Sequence, residues 1–106
     1  MEKFNIVKPA VAGTLESADV QLMIDPSPGQ GLTIELKSSV YNQYGRQIRE
    51  VVENTLKNMG VDHAKVMVTD QGALDCTIIA RTVAAVHRAA EATENIDWEG
   101  IERWNV

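Results

Sequence analysis

Residues 20–37 have the sequence VQLMIDPSPGQGLTIELK, in which two stretches of alternating polarity flank a run of turn-forming residues. In both stretches every second residue is apolar: Val20, Leu22 and Ile24, then Leu32, Ile34 and Leu36. Such alternation is typical of half-buried strands, and Pro, Gly and Ser between two of them indicate a turn. The sequence therefore predicts a β-hairpin over residues 20–37.

After residue 37, the spacing of apolar residues first has a helical period and then a strand period. Apolar residues recur every three or four positions over 40–59, and Gly60 comes directly after, which predicts a long helix. Strand-like alternation returns over 65–69 and again over 74–80, and a second helix is predicted over 81–91. Two hairpin–helix units indicate an α+β fold with a four-stranded, mostly antiparallel sheet and two helices on one face.

The length of 106 residues suits a single domain with one modest core, so residues 1–106 are expected to be one domain. Residues 1–18 precede the first predicted strand and are expected to be a flexible N-terminal segment. Residues 93–106 form a tail with little periodicity that holds Trp98 and Trp104. Those two indoles could anchor a partner or fold back over the sheet.

The composition excludes several classes of protein. The formal net charge is -5 and Lys and Arg form no cluster, which argues against nucleic-acid binding. No apolar run approaches the length needed to cross a membrane, and the first residues lack the apolar segment of a signal peptide. A single cysteine allows no internal disulfide. We therefore expect a cytoplasmic protein without a membrane partner.

Few side chains suggest catalysis or metal binding. Cys76 falls on the apolar side of the predicted fourth strand and is expected to be buried in the core. His63 and His87 have no partner at ligand spacing, so no metal site is predicted. Ser17 lies between Glu16 and Asp19, but two neighbouring carboxylates do not form a catalytic triad. The sequence therefore indicates no catalytic residue of its own.

Two blocks carry a family resemblance: PAVAGTLESADV over residues 9–20, and DQGALDC over residues 70–76, followed by Ala80-Arg81. They resemble the citrate lyase acyl carrier protein family, the gamma subunit of that complex. In its N-terminal motif a serine lies between Glu and a small residue followed by Asp. Ala18 departs from the pattern, because Gly is expected at that position and Ala has less backbone freedom.

The resemblance implies that Ser17 carries 2'-(5''-phosphoribosyl)-3'-dephospho-CoA through a phosphodiester, attached by a holo-carrier synthase. It also implies two further partners, the alpha (acyl transferase) and beta (lyase) subunits of citrate lyase. The arm would hold acetyl and citryl thioesters while citrate is cleaved to acetate and oxaloacetate, and the chain itself would be a non-catalytic carrier. Glu16 and Asp19 flank the attachment site, and we regard them as candidate recognition residues for the synthase.

Two alternatives stay open. The delta subunit of malonate decarboxylase is similar and uses the same arm, although Glu16 and the block over 72–76 favour the citrate enzyme. The neighbouring genes would distinguish the two. A small-molecule-binding module would instead be an unmodified chain with a ligand pocket between sheet and helices, and the sequence shows no convergent polar cluster for one.

Overall fold

The computed structural model describes residues 5–26, 31–38 and 41–90, with all of their side chains except those of 41–43. The elements in chain order are β1 (Ala10–Gly13), β2 (Val20–Asp25), β3 (Leu32–Ser38), α1 (Tyr41–Asn58), β4 (Ala64–Asp70) and α2 (Asp75–Ala89). The four strands form one sheet in the order β1-β2-β4-β3. The predicted tail with Trp98 and Trp104 lies outside the described residues.

Both helices pack against the same face of this sheet and against each other. The side chains that the two central strands direct at the helices are fully buried: Val20, Leu22, Ile24, Val66 and Val68. Met23 and Met67 alternate with them and are exposed on the opposite, open face. The predicted α+β fold, with four strands and two helices on one face, is therefore confirmed.

The pairing of the strands differs from the predicted hairpins. β2 pairs antiparallel with β1 and with β4, and β3 pairs in parallel with β4. The hairpin predicted over residues 20–37 is therefore wrong, because β4 lies between β2 and β3. The cause is α1, since a helix that follows a strand carries the chain back along the sheet and lets the next strand run parallel to the first.

Residues 74–80 also differ from their prediction as a fourth strand, because α2 begins within them, at Asp75. No glycine or proline interrupts residues 74–89. The buried positions follow the helical period along this whole stretch: Ile78, Ile79, Thr82, Val83, Ala85, Val86, His87 and Ala89. Cys76 lies on the outer side of the helix and is exposed, so its predicted burial in the core is wrong.

The remaining strand, β1, lies inside the segment 1–18 that the sequence predicts to precede every regular element. Ala10 lies opposite Ile24 and Ala12 opposite Leu22 in the antiparallel register. Alanine has little preference for strands, and the pattern therefore gave no strand signal here. Its small side chain suits this position, however, because Ala12 is buried in the core that α2 covers.

The long helix agrees with its prediction. Its buried residues include Ile48, Val52, Thr55 and Leu56, which lie on one face of α1. Gly60 follows with φ 71°, and its N–H donates to Lys57 O at 3.0 Å. The Val61 N–H donates to Leu56 O at 3.0 Å, which completes a Schellman ending of the helix. The chain then turns into the central strand β4.

Candidate functional site

Ser17 lies in the turn that joins β1 to β2. The Asp19 N–H donates to Glu16 O at 3.1 Å, so residues 16–19 form a closed turn with Ser17 as its second residue. The Ser17 side chain is exposed. Its hydroxyl makes no hydrogen bond with any residue in the described parts of the chain. An exposed hydroxyl without a partner can act as an acceptor for a covalent group.

The carboxylate of Asp19 holds this turn to the rest of the domain. Its Oδ2 accepts from Thr14 Oγ1 at 2.6 Å and from an Arg81 guanidinium nitrogen at 2.9 Å. Its Oδ1 accepts from the Val20 N–H at 2.7 Å and from Arg81 Nε at 3.1 Å. Both oxygens thus accept from Arg81 on α2 and from a donor in or next to the turn. The pair with Arg81 is bidentate, which is the strong form of an Arg–carboxylate interaction.

The same contacts determine the charge of Asp19. The hydrogen bond from Arg81, followed by those from Thr14 and the Val20 N–H, holds the pKa of the Asp19 carboxyl well below its usual range. Asp19 is therefore an anion throughout the physiological pH range. Its charge is matched by Arg81 within the domain, whereas the neighbouring Glu16 side chain is exposed.

The loop between β4 and α2 lies directly against the Ser17 turn. The Ala18 N–H donates to Gln71 O at 2.8 Å, and the Gln71 N–H donates to Asp19 O at 2.9 Å. These bonds continue the β2–β4 pairing by one step beyond the strands, because Val20 lies opposite Asp70. The two sequence blocks, residues 9–20 and 70–81, are therefore in direct contact in the folded domain.

Asp70 shapes that loop from inside the protein. It is only 1% exposed, and its oxygens accept from the N–H groups of Gly72 and Ala73, both at 3.0 Å. Ser38 Oγ, at the end of β3, donates to it at 2.8 Å. An aspartate whose side chain accepts from N–H groups two and three residues ahead fixes a turn, so Asp70 holds Gln71 in place to pair with the Ser17 turn.

The close approach of the end of β1 to the start of β2, beside Arg81, requires a glycine. Gly13 has φ 88°, and a Cβ built on it would lie 1.8 Å from Val20 O and 3.2 Å from Cδ of Arg81. No side chain fits into that space. Gly13 therefore lets the end of β1 lie close enough for Thr14 and Arg81 to bind the same carboxylate.

Ala18 has φ 63°, the left-handed region that favours glycine. It is the third residue of the turn, where a positive φ is usually supplied by Gly or Asn. Alanine, where glycine was expected, thus occupies a strained backbone position, and the turn still forms. The hydrogen bonds of Ala18 and Asp19 to Gln71 offset the strain.

The two histidines, for which no metal site was predicted, lie elsewhere. His63 accepts a hydrogen bond from the Gly31 N–H at 3.2 Å through Nδ1, and His87 is buried on α2. Within residues 5–26, 31–38 and 41–90, no three His, Cys, Asp or Glu side chains are grouped to hold a metal ion. None of the helices in the described part of the chain is long and apolar enough to span a bilayer.

Sequence reasoning identified Ser17 and its two flanking carboxylates but missed the residues that hold them. Arg81 was noted only as the end of the second block, Asp70 only as the first residue of a predicted turn, and Thr14 received no role. A local signal existed for Asp70, since aspartate followed by Gln-Gly at the end of a strand is typical of a side-chain-stabilised turn. No comparable signal exists for Arg81, which is 62 residues away from Asp19.

Comparisons with known proteins show which families the chain resembles. The family model described as "ACP: Malonate decarboxylase delta subunit (MdcD)" matches residues 7–89. A citrate lyase acyl carrier protein from Streptococcus mutans is 54% identical over 95% of this chain and 98% of its own length. One from Streptococcus uberis is 52% identical over 96% and 99%.

A solved structure has a similar fold. It is a chain of a Pseudomonas malonate decarboxylase hetero-tetramer in complex with malonate, with a TM-score of 0.71 and 17% sequence identity. The similarity covers 83% of this chain and 90% of that chain. At this level of sequence identity, the similarity shows only that the two chains share a fold.

We predict that Ala18→Gly stabilises the domain. Glycine removes the strain energy of a positive φ from the folded state. This stabilisation exceeds the cost of the greater conformational entropy that glycine gives the unfolded chain, so the free energy of unfolding should rise by up to about 1 kcal/mol. Ala80→Gly, in the interior of α2, is the matched control and should lower it by about 1 kcal/mol. Urea unfolding measures both. Equal losses in the two variants would contradict the prediction.

We also predict a specific pH dependence for Asp19. A carboxyl whose pKa is lowered by folding stabilises the protein fully above its unfolded pKa of about 3.9, and this contribution is lost as the pH falls through the folded value. The stability difference between the native protein and Asp19→Asn should therefore be constant from about pH 5 to 7 and shrink below about pH 4. Urea unfolding across this range measures it.

A second variant tests the cause of that dependence. Arg81→Met removes the first of the donors, so a carbon-detected NMR titration should show a higher pKa for Asp19 in this variant than in the native protein. An unchanged titration would mean that Arg81 does not control the charge of Asp19.

Proposed function

The chain belongs to the citrate lyase acyl carrier protein family, and on this premise we propose that the Ser17 hydroxyl is the point at which its prosthetic group is attached. The chain is thus a carrier subunit of an enzyme complex rather than a catalyst. One observation carries the assignment to Ser17: an exposed hydroxyl without an internal partner, in a turn that both family blocks hold in place.

The proposed group is 2'-(5''-phosphoribosyl)-3'-dephospho-CoA. The geometry of the turn suits a phosphodiester, because the serine oxygen is accessible and its neighbour Ala18 is small. When bound, the group supplies a thiol that holds an acyl chain as a thioester, whose enolate is far better stabilised than that of a free carboxylate.

The residues of the chain itself hold the attachment point. The Ser17 oxygen becomes one of the ester oxygens of the phosphodiester. Asp19, paired with Arg81, and the backbone bonds to Gln71 keep the turn against the end of the sheet. The arm therefore leaves from a defined position and direction on the domain. Such a fixed anchor serves a carrier that must present the same acyl group at two active sites.

We propose three partners for this carrier: the alpha (acyl transferase) subunit, the beta (lyase) subunit and a holo-carrier synthase. A cytoplasmic location is proposed with them. The exposed Glu16 side chain is the better of the two predicted recognition residues, because it can reach a partner directly. The carboxylate of Asp19 already has Arg81, Thr14 and Val20 as partners, and its proposed role is to hold the turn.

The delta subunit of malonate decarboxylase fits this chain as a family relative. The family model carries that description and a chain of that enzyme shares the fold, but at 17% identity. The citrate lyase carriers share more than half of their residues with this chain over nearly its whole length. Citrate lyase is therefore the better supported enzyme.

Loss of the hydroxyl should abolish the modification. We expect the protein from its native host to show a mass increment matching the phosphoribosyl-dephospho-CoA group, and Ser17→Ala to lack it, as measured by intact-mass spectrometry. Thr33→Ala removes an exposed hydroxyl on β3 and should keep the increment. An active complex containing an unmodified chain, or an increment that persists in Ser17→Ala, would refute the assignment.

Charge reversal tests the role of Glu16. If its carboxylate guides the synthase, Glu16→Lys should slow attachment about three- to tenfold at low salt and less at high salt, because salt screens exposed charges. Glu35→Lys makes the same change in net charge on β3 and should have a normal rate. The measurement is the time course of mass increase with purified synthase. Equal rates for both variants would remove Glu16 from recognition.

A further inference from the structure

A groove opens between the first half of α1 and the loop that leads into α2. Its volume is about 380 Å³, within the range of small-molecule sites. α1 contributes Tyr44, Gln47 and Ile48, and the other wall consists of residues 72–75. Two large side chains at its rim are unusually open to solvent, since Tyr44 is 49% and Leu74 is 71% exposed.

The chemistry of the lining selects its occupant. The described residues around the groove include no lysine or arginine, and the Asp75 carboxylate lies at one end. Gln47 Nε2 donates to both Asp75 oxygens, at 3.2 and 3.1 Å, which leaves the amide oxygen of Gln47 as an acceptor. A phosphate or a carboxylate-bearing acyl chain would find no cationic partner among these residues. A flat, neutral group with N–H donors fits it, because an aromatic ring and an aliphatic side chain offer apolar surfaces.

The groove lies close to the attachment point. Ala18 is hydrogen bonded to Gln71, and Ser17 and Gly72 are their respective chain neighbours. With about 3.8 Å between consecutive Cα atoms, Ser17 and Gly72 are no more than about 14 Å apart. The phosphodiester and the two ribose rings that separate the serine oxygen from the base of the proposed group have a length of this order.

We propose that this groove binds the adenine of the prosthetic group, with the base against the Tyr44 ring and Leu74 at its edge. The inference rests on the proposed attachment at Ser17. Binding of the base next to its anchor leaves the pantetheine end and its thiol free to reach other subunits. Base-on-aromatic contact supplies the attraction without a charged partner, which agrees with a groove that contains no cation among its described residues.

The test compares the apo and holo forms of the full chain by NMR. In the holo protein we expect amide shifts at residues 72–75 and 44–48 in addition to those of the Ser17 turn, and NOEs from the adenine protons to the Tyr44 ring and the Leu74 methyls. Tyr44→Ala should lower the ratio of bound to free base about fivefold or more, seen as loss of the groove shifts. Tyr44→Phe keeps the ring and should retain them.

Met67→Ala is the matched control, because Met67 is an exposed apolar residue on the open face of the sheet, away from the helices. It should leave the groove shifts unchanged. Intact mass separates the two proposals. If the arm is on Ser17 but the groove signals are identical in apo and holo protein, only the proposal that the groove binds adenine is overturned. A chain without the arm on Ser17 overturns both. NOEs from the pantetheine methyl groups to Leu74, in place of adenine NOEs, would assign the groove to the tail and overturn its assignment to the base.

Discussion

The pairing of Asp19 with Arg81 is the interaction that fastens the Ser17 turn to the second helix. It joins the first hairpin turn to the second helix across 62 positions of sequence and gives both carboxylate oxygens a charged donor. Gly13 makes room for it, and Thr14 completes it. The exposed serine two residues before Asp19 owes its position to this pair rather than to contacts of its own.

Much of the fold could be predicted from sequence, because the buried sides of β2, β4 and α1 follow clear periods. The strand partners could not be predicted in this way. Alternation shows that residues 20–25 and 32–38 are strands, but the position of β4 between them depends on the crossover through α1. The start of α2 was missed because residues 74–80 satisfy both periods over a short window. β1 was missed because its inward residues are alanines.

The residues of the candidate site also include some that could be predicted from sequence and some that could not. Ser17 could be found from its local motif, and glycine was expected at position 18, where the structure has a positive φ. Arg81 and Asp70 act through contacts far apart in sequence, and a single sequence does not show which distant charges meet. Cys76 was misplaced as a direct result of the error over residues 74–80, because an outward position on a helix was taken for an inward position on a strand.

The closed turn around Ser17 has a mechanical consequence. An arm attached to a loose terminal segment would add the disorder of that segment to its own, and its thiol would be diluted over a larger volume. An arm attached to a turn fastened at both sides has a fixed pivot, so its effective concentration at a partner's active site is set by the arm and by how the subunit docks. One residue added within the turn between β1 and β2 would break its hydrogen bonds to Gln71 and move the pivot away from the sheet.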